Sequence, residues 1–248
     1  MSRYFIEVAY LGTAYAGFQR QDNAHTVQAE LEKVLGLLNR QPVQLTGSSR
    51  TDAGVHALQN FFHYDTELEQ PEKLLYNINA LLPRDCVARS LRRVAPDAHC
   101  RFDAVSREYR YHCTTRKDPF LEGRAYYFPY TANLELMQAA AAILLEYRDF
   151  TSFSKRNTQV KTFICQLTES RWEAVPDGFT YYVKGNRFLR GMVRALTGTM
   201  LRVGRGKMDL DMFRRVIEAK DCTLADFSVP AHGLFLEKVN YPENKQAD

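Results

Sequence analysis

The stretch PVQLTGSSRTDAGVHALQNFFHY (residues 42–64) predicts two strands joined by a polar loop. A connection between two strands needs no more than an Asn-Gly turn. The loop GSSRTDAGVHA (47–57) instead carries a guanidinium at Arg50, a carboxylate at Asp52 and an imidazole at His56. This loop is therefore the first candidate for a functional site.

The segments on either side complete a βαββαβ unit. Residues 3–10 alternate as a strand, and Thr26 is the expected N-cap of a helix that runs to about Asn39 with an apolar stripe on one face. The other predicted elements of this half are strands near 43–47 and 57–64, a helix from Pro71 to Leu82 with the proline in its first turn, and a strand at 86–94.

The second half of the chain shows the same order of elements without repeating the sequence. The predicted elements are strands at 107–113, 165–174, 178–185 and 233–241, and helices at 133–147, 188–203 and 208–219. Segment 95–105 is the natural boundary between the halves. We therefore predict an α+β protein with two ferredoxin-like (βαββαβ) subdomains, at 1–105 and 106–248. Their strands are expected to join into one mixed, mainly antiparallel sheet with helices packed on one face and a central cleft.

Composition excludes several classes of protein. The chain has 248 residues, 45% of them hydrophobic and 25% charged, which is ordinary for a globular protein. No apolar run is long enough to cross a bilayer, and the N-terminus reads as a strand rather than a signal peptide. The five cysteines include no CxxC pair, which favours buried thiols in a reducing cytoplasm over a zinc or disulfide framework.

The distribution of charge is more informative than the net charge of +4. The segment from Gly178 to Met208, named here the basic segment, contains no Asp or Glu. Its basic residues are Lys184, Arg187, Arg190, Arg194, Arg202, Arg205 and Lys207. A run of charge is usually only a solvated face, but this imbalance favours a polyanionic partner.

The loop at 47–57 admits more than one interpretation. Ser48, Thr51 and Asp52 could simply cap backbone groups in a tight turn. Asp52 and His56 have the spacing of a helical metal pair, but Gly54 between them and the flanking strands make a metal site a minor alternative. A carboxylate beside Arg50 would instead stay ionised, and it could act as a nucleophile or stabilise charge. The six histidines show no other metal-ligand spacing, and GRGK (204–207) lacks the spacing of a phosphate-binding loop.

A series of motifs then occurs in order along nearly the whole chain. They are GFQRQ (17–21), SRTDAGVHA (49–57), NALLPRD (79–85), REYRY (107–111), FTSFS (150–154), FLRGMVR (188–194) and GLFLEKVNY (233–241). Together they closely resemble the bacterial tRNA pseudouridine synthase A family, and RTDAGVHA is the most specific of them. One departure is Ser49, where glycine is expected in many members.

The resemblance implies a function and a set of site residues. The family isomerises uridines 38, 39 and 40 of the tRNA anticodon stem-loop to pseudouridine, without a metal or an organic cofactor. Asp52 matches the catalytic aspartate, Arg50 the arginine associated with flipping the target nucleotide, and Tyr109 the tyrosine over the uracil. Arg194 matches the basic residue that pairs with the aspartate. The resemblance also implies a homodimer that binds the anticodon arm of tRNA in the cytoplasm.

Other residues of the basic segment are assigned by pattern. Lys184, Arg187 and Arg190 are candidates for binding the RNA. On a helical wheel for 188–203, the residues Arg190, Arg194 and Thr197 lie roughly opposite an apolar face, so Arg194 is expected to point into the cleft. The apolar face consists of Phe188, Leu189, Met192, Leu196 and Val203.

Two other functions stay open from the sequence. Two ferredoxin-like units also resemble tandem RNA-recognition folds, so a non-catalytic RNA-binding module is the first alternative. A metal-assisted phosphodiesterase built on Asp52 and His56 is the second. The catalytic interpretation is favoured because a binding module has no need for Asp52, whose negative charge would oppose phosphate.

Overall fold

A computed structural model describes residues 1–68, 73–156 and 160–242 of the chain. The chain divides into two compact units, the first formed by Met1–Val105 with Leu236–Asp248 and the second by Ser106–Phe235. The last strand therefore begins in the second unit and continues into residues that group with the first. This differs from the predicted division, in which all of 106–248 formed one domain.

The first unit has the predicted βαββαβ order. The elements are β1 (Ser2–Tyr10), α1 (Val27–Asn39), β2 (Thr46–Gly47), β3 (His56–Thr66), α2 (Leu74–Leu81) and β4 (Cys86–Val94). Strand β1 pairs with β3 and with β4, and β2 pairs with β3, all antiparallel, so the strands lie in the order β4-β1-β3-β2. The predicted helix start at Pro71 lies outside the described residues.

Helix α1 forms where its capping residue and apolar stripe predict. The hydroxyl of Thr26 accepts a hydrogen bond from the backbone N–H of Ala29, which satisfies one of the free donors of the first turn. Val27, Leu31 and Leu35 are fully buried on the inner face. The helix therefore contributes one continuous apolar stripe to the core of the first unit.

Strand β2 is shorter than the predicted 43–47. The backbone N–H of Leu45 donates to Glu32 Oε1 at 3.0 Å, and its carbonyl accepts from Gln28 Nε2 at 2.8 Å. Side chains of α1 thus satisfy the backbone groups that a neighbouring strand would otherwise pair. Strand pairing begins only at Thr46 for this reason.

The second unit repeats the strand order of the first. The elements are β5 (Ser106–Thr114), β6 (Tyr126–Tyr127), α3 (Leu134–Ile143), β7 (Leu167–Val175), β8 (Gly178–Gly185), α4 (Met192–Gly204), α5 (Leu210–Glu218) and the start of β9 (Leu234–Asn240). Strand β5 pairs with β8, which pairs with β7, and the order is β9-β5-β8-β7, with β6 parallel to β5. The predicted α+β fold with a mixed, mainly antiparallel sheet is confirmed.

The end of the chain packs on the first unit through specific contacts. The hydroxyl of Tyr241 donates to the carbonyl of Cys100 at 2.5 Å, and its ring contacts Phe5 and Phe61. The N–H of Val105 donates to the carbonyl of Asn240 at 2.8 Å. These long-range bonds explain why residues after Phe235 belong to the first unit, which strand periodicity alone does not reveal.

Helix α4 corrects the predicted helix at 188–203. It begins at Met192, after Gly191 adopts a left-handed φ of 74° at the N-cap. Thr197, placed by the wheel on the side away from the core, is fully buried, and its hydroxyl donates to the carbonyl of Val193 at 2.8 Å. The wheel failed because α3, α5 and β5 pack against this helix from several sides.

A buried histidine lies in the core of the first unit. His63 on β3 is within hydrogen-bond distance of the Cys100 thiol, with Nδ1 and Sγ 3.1 Å apart, and its ring contacts that of His99 edge-on. Burial lowers the pKa of His63 to about 4, with a further lowering from His99 and Arg3. The folded protein therefore keeps this imidazole neutral.

This pKa predicts that acid destabilises the protein through His63. The unfolded chain takes up a proton near the ordinary pKa of 6.5, whereas the folded chain does so only near 4, so stability is complete above pH 6.5 and declines as the pH falls toward 4. Urea unfolding gives the free energy of unfolding of wild type and of His63→Gln at each pH in this range. Plotted against pH, this free energy should be steeper for wild type than for the variant, by up to about 1.4 kcal/mol per pH unit. Parallel curves for the two proteins would contradict the assignment.

Candidate active site

The loop between β2 and β3 is tied down by a fully buried side chain, that of Asn60. Its Oδ1 accepts from the Ser48 hydroxyl at 2.8 Å and from the N–H of Phe61 at 2.9 Å. Its Nδ2 donates to the hydroxyl of Tyr10 at 3.1 Å and to the carbonyl of Ser49 at 2.9 Å. One amide thus holds the start of the loop against two strands, a role that sequence reasoning missed because Asn60 lies inside a predicted strand.

The centre of the loop is held as firmly. The Thr51 hydroxyl is hydrogen-bonded to that of Tyr10 at 2.9 Å, and the Thr51 carbonyl accepts from the N–H of Phe18 at 3.1 Å. The carbonyl of Asp52 accepts from the N–H of Val55 at 3.1 Å, which closes a turn in which Gly54 has a left-handed φ of 79°. The backbone at Asp52 is consequently fixed from both sides.

Arg50 and Asp52 alternate with buried loop residues. Arg50 is exposed and Asp52 is half-buried, while Ser49 and Thr51 point inward. The loop therefore presents a guanidinium and a carboxylate from a backbone that cannot easily move. This is the arrangement expected for a group that must meet a substrate in one orientation.

His56 has a structural role. It is fully buried at the start of β3, and its Nδ1 accepts a hydrogen bond from the N–H of Gly12 at 2.9 Å. A Cβ at position 12 would lie 2.0 Å from the carbonyl oxygen of Val55, so only glycine lets the two segments approach this closely. The minor alternative of a metal site built on Asp52 and His56 is therefore unsupported.

Tyr109 lies on β5 in the second unit. It is buried, and its ring contacts that of Phe188 edge-to-face, with centroids 4.9 Å apart at 76°. It faces Val183 across the β5–β8 pair. The ring is thus held in one orientation by an aromatic neighbour from the segment before α4.

Lys184 lies on the opposite face of these strands from Tyr109. It faces Glu108 in the register, and its Nζ is 3.3 Å from Glu108 Oε1 and 3.9 Å from Glu169 Oε1. Because side chains alternate along a strand, the structure does not bring Lys184 and Tyr109 together. The basic segment contains no Asp or Glu, but Glu108 and Glu169 on the neighbouring strands lie beside Lys184.

The arginines around α4 have different environments. Arg194 is half-buried, and its Nε and Nη2 both donate to the carbonyl of Val229, at 2.9 and 2.7 Å. Arg187 is half-buried and Arg190 is exposed. The expectation that Arg194 simply extends from a polar helix face is therefore incomplete, since this carbonyl orients its guanidinium.

A potential metal-ligand cluster occurs elsewhere in the first unit. Within the described ranges, one donor atom each from His63, His99 and Cys100 lie within 4.8 Å of one another. The Cys100 thiol also donates to the carbonyl of Thr46 at 3.1 Å, and His99 Nδ1 accepts from the N–H groups of two following residues. Because these polar atoms are already hydrogen-bonded within the protein, we interpret the cluster as part of the core.

These features define a class of protein: an α+β fold that presents a carboxylate and an arginine on a rigid loop. A family model described as tRNA pseudouridine synthase matches residues 6–103 and 140–242. The chain belongs to this tRNA pseudouridine synthase family and is an isomerase. Because this family consists of isomerases, membership removes both the non-catalytic RNA-binding module and the metal-assisted phosphodiesterase as alternatives.

Curated relatives extend over nearly the full chain. A tRNA pseudouridine synthase A from Parabacteroides distasonis is 46% identical over 98% of this chain and 97% of its own length. Those from Porphyromonas gingivalis and Staphylococcus saprophyticus are 46% and 39% identical, each over 98% of this chain and 99% and 92% of their own lengths. None of the helices in the described part of the chain has the length and apolar character needed to cross a bilayer.

The two serines of the loop differ in a way that can be tested. The Ser48 hydroxyl donates to Asn60, whereas no partner for the buried Ser49 hydroxyl is found among residues 1–68, 73–156 and 160–242. Ser48→Ala should lower the free energy of unfolding by about 1–2 kcal/mol, and Ser49→Ala should leave it unchanged or raise it by up to about 1 kcal/mol. The shift of the urea midpoint measures both, and equal losses would contradict the assignment.

Proposed function

We propose that this chain converts uridines 38, 39 and 40 of the tRNA anticodon stem-loop to pseudouridine. The observation that carries the proposal is the half-buried carboxylate of Asp52 on a loop held by Asn60 and Thr51. The names of its relatives support tRNA as the substrate. The positions within tRNA are proposed from the resemblance to the synthase A family, and we propose that the reaction takes place in the cytoplasm, as the same resemblance implies.

The reaction rearranges one nucleotide without a net change of atoms. The N1–C1′ bond breaks, the uracil rotates, and a C5–C1′ bond forms. The proton on C5 is then lost, and N1 takes up a proton. Asp52 either attacks the sugar or the uracil directly, or stabilises charge and removes the C5 proton. In each route, the carboxylate must stay beside the detached base, which the rigid loop provides.

The other site residues take roles in binding and orientation. A target base in a stem must leave its stack at a cost of about a few kcal/mol, and we assign Arg50 to the space it vacates. Tyr109, held by Phe188, is proposed to cover the uracil. From the resemblance, we also propose that Arg194 is the basic residue that pairs with Asp52.

Phosphate binding is assigned to the basic segment. Arg187 and Arg190 are the stronger candidates. Lys184 is proposed to contribute less, because Glu108 and Glu169 already offset its charge. An acidic partner offsets part of the charge of a lysine and so weakens its attraction for phosphate.

We further propose that the enzyme is a homodimer in which one tRNA contacts both subunits. A chain of this length has a radius of gyration of about 18 Å, which is small compared with a tRNA. A two-fold dimer offers a second basic surface without new sequence. Sedimentation at micromolar protein should give twice the mass of the chain, and a species of monomer mass would refute the dimer.

The decisive test of the activity is tritium release from tRNA labelled at C5 of uridine. Asp52→Asn should abolish release while tRNA still binds, because the essential carboxylate is lost and the loop contacts remain. Asp97→Asn, which changes an exposed carboxylate of the same unit, should retain activity. Turnover of Asp52→Asn above ~1% of wild type would exclude Asp52 as the essential group, since general acid–base assistance alone contributes about 10²–10⁴-fold.

A further inference from the structure

A cavity of about 280 Å³ in the second unit is lined by an unusual number of cations. Lys155, Arg156 and Lys220 contribute three positive charges to its lining, against one negative charge from Asp221. The hydroxyl-bearing residues Thr151 and Ser154 also line it. Such a cavity suits a compact anion with several hydrogen-bond acceptors. None of these residues was singled out from the sequence as a binding residue.

Two of the three cations are engaged by acidic groups. Lys220 Nζ is 2.9 Å from Asp149 Oδ2, and Arg156 Nη2 is 3.9 Å from Asp221 Oδ1. Burial raises the pKa of Asp149, but hydrogen bonds from Thr151 and Lys220 outweigh that effect and leave the pKa below its ordinary value. Asp149 therefore stays ionised and holds Lys220 in place at the cavity.

Lys155 differs from these two residues. It is half-buried, and in the described part of the chain no carboxylate lies within ion-pair distance of its ammonium group. Its methylene carbons cover Gly191, where an added Cβ would lie 3.1–3.4 Å from them. Its backbone N–H donates to the carbonyl of Arg190 at 3.0 Å. A lysine whose stem is packed and whose charge has no acidic partner is well placed to bind an external anion.

We propose that this cavity binds a backbone phosphate of the tRNA, with Lys155 as the residue that supplies the uncompensated charge. The inference rests on the proposed function, because that function provides a polyanionic substrate. The backbone hydrogen bond joins Lys155 to Arg190, so the cavity extends the basic segment with residues that lie before it and after it in the sequence. Inorganic phosphate shares the same chemistry, and the tests below separate the two ligands.

The first test measures tRNA affinity as a function of salt. Lys155→Met keeps an unbranched side chain over Gly191 and removes the charge, and Lys117→Met removes the charge of an exposed lysine elsewhere in the same unit. For Lys155→Met the slope of log K against log salt should become shallower by about one, with weaker binding to every tRNA tested. Lys117→Met should keep the wild-type slope, and so should Lys155→Arg, because it keeps the positive charge at this position. An unchanged slope for Lys155→Met, or equal changes in both methionine variants, would overturn the proposal.

The second test uses the unmodified protein, so it does not depend on the folding of a variant. Acetic anhydride labelling followed by mass spectrometry should show Lys155 protected by tRNA and Lys117 labelled equally with and without it. Inorganic phosphate at the same concentration of phosphate groups should leave Lys155 labelled. Protection by inorganic phosphate alone, or no protection by tRNA, would refute an RNA subsite. If wild type releases tritium and Lys155 fails both tests, only this inference falls; if wild type releases none, the proposed function falls.

Discussion

The loop that carries Asp52 depends on the buried amide of Asn60, whose oxygen and nitrogen each make two hydrogen bonds. An amide inside a sheet cannot lose these bonds without a large desolvation cost, so Ser48, Ser49 and Tyr10 must remain where the amide meets them. Asp52 lies three residues after Ser49, so the hydrogen bonds of Asn60 also restrict the position of its backbone. The backbone that carries the carboxylate is thereby fixed, and a group held in one place meets a bound molecule at a lower entropic cost.

One buried hydroxyl of this loop has no hydrogen-bond partner among the described residues. The Ser49 hydroxyl is buried, with no partner among the described residues, at the position where the family pattern leads us to expect glycine. The carbonyl of Ser49, and not its hydroxyl, accepts the hydrogen bond from the Asn60 amide. The loop geometry therefore depends on the backbone at this position, and the side chain adds little to it.

Charge in the second unit follows the contacts of each side chain and not its place in the basic segment. Lys184 is offset by two glutamates, Arg194 is bonded to a carbonyl, and Arg205 lies over the ring of Tyr130 at 3.8 Å. Lys155, which precedes the segment, has no such acidic partner in the described ranges. Positive charge without an acidic partner is thus distributed differently from the basic residues in the sequence, because the strands of a sheet bring together charges from distant parts of the chain.

The order of strands and helices was predictable because alternation, apolar stripes and capping residues such as Thr26 are local properties of the chain. The connection between β2 and β3 was predictable as well, and its unusual residue types made Asp52 a candidate functional residue, a role that stays a prediction. Other features follow from contacts in the folded chain: the start of β2 at Thr46, the burial of Thr197, the grouping of residues after Phe235 with the first unit, and the identity of the lysines without an acidic partner among the described residues. Each of these outcomes depends on partners distant in sequence, such as Glu32 for Leu45 or Glu108 for Lys184, and no local pattern encodes such contacts.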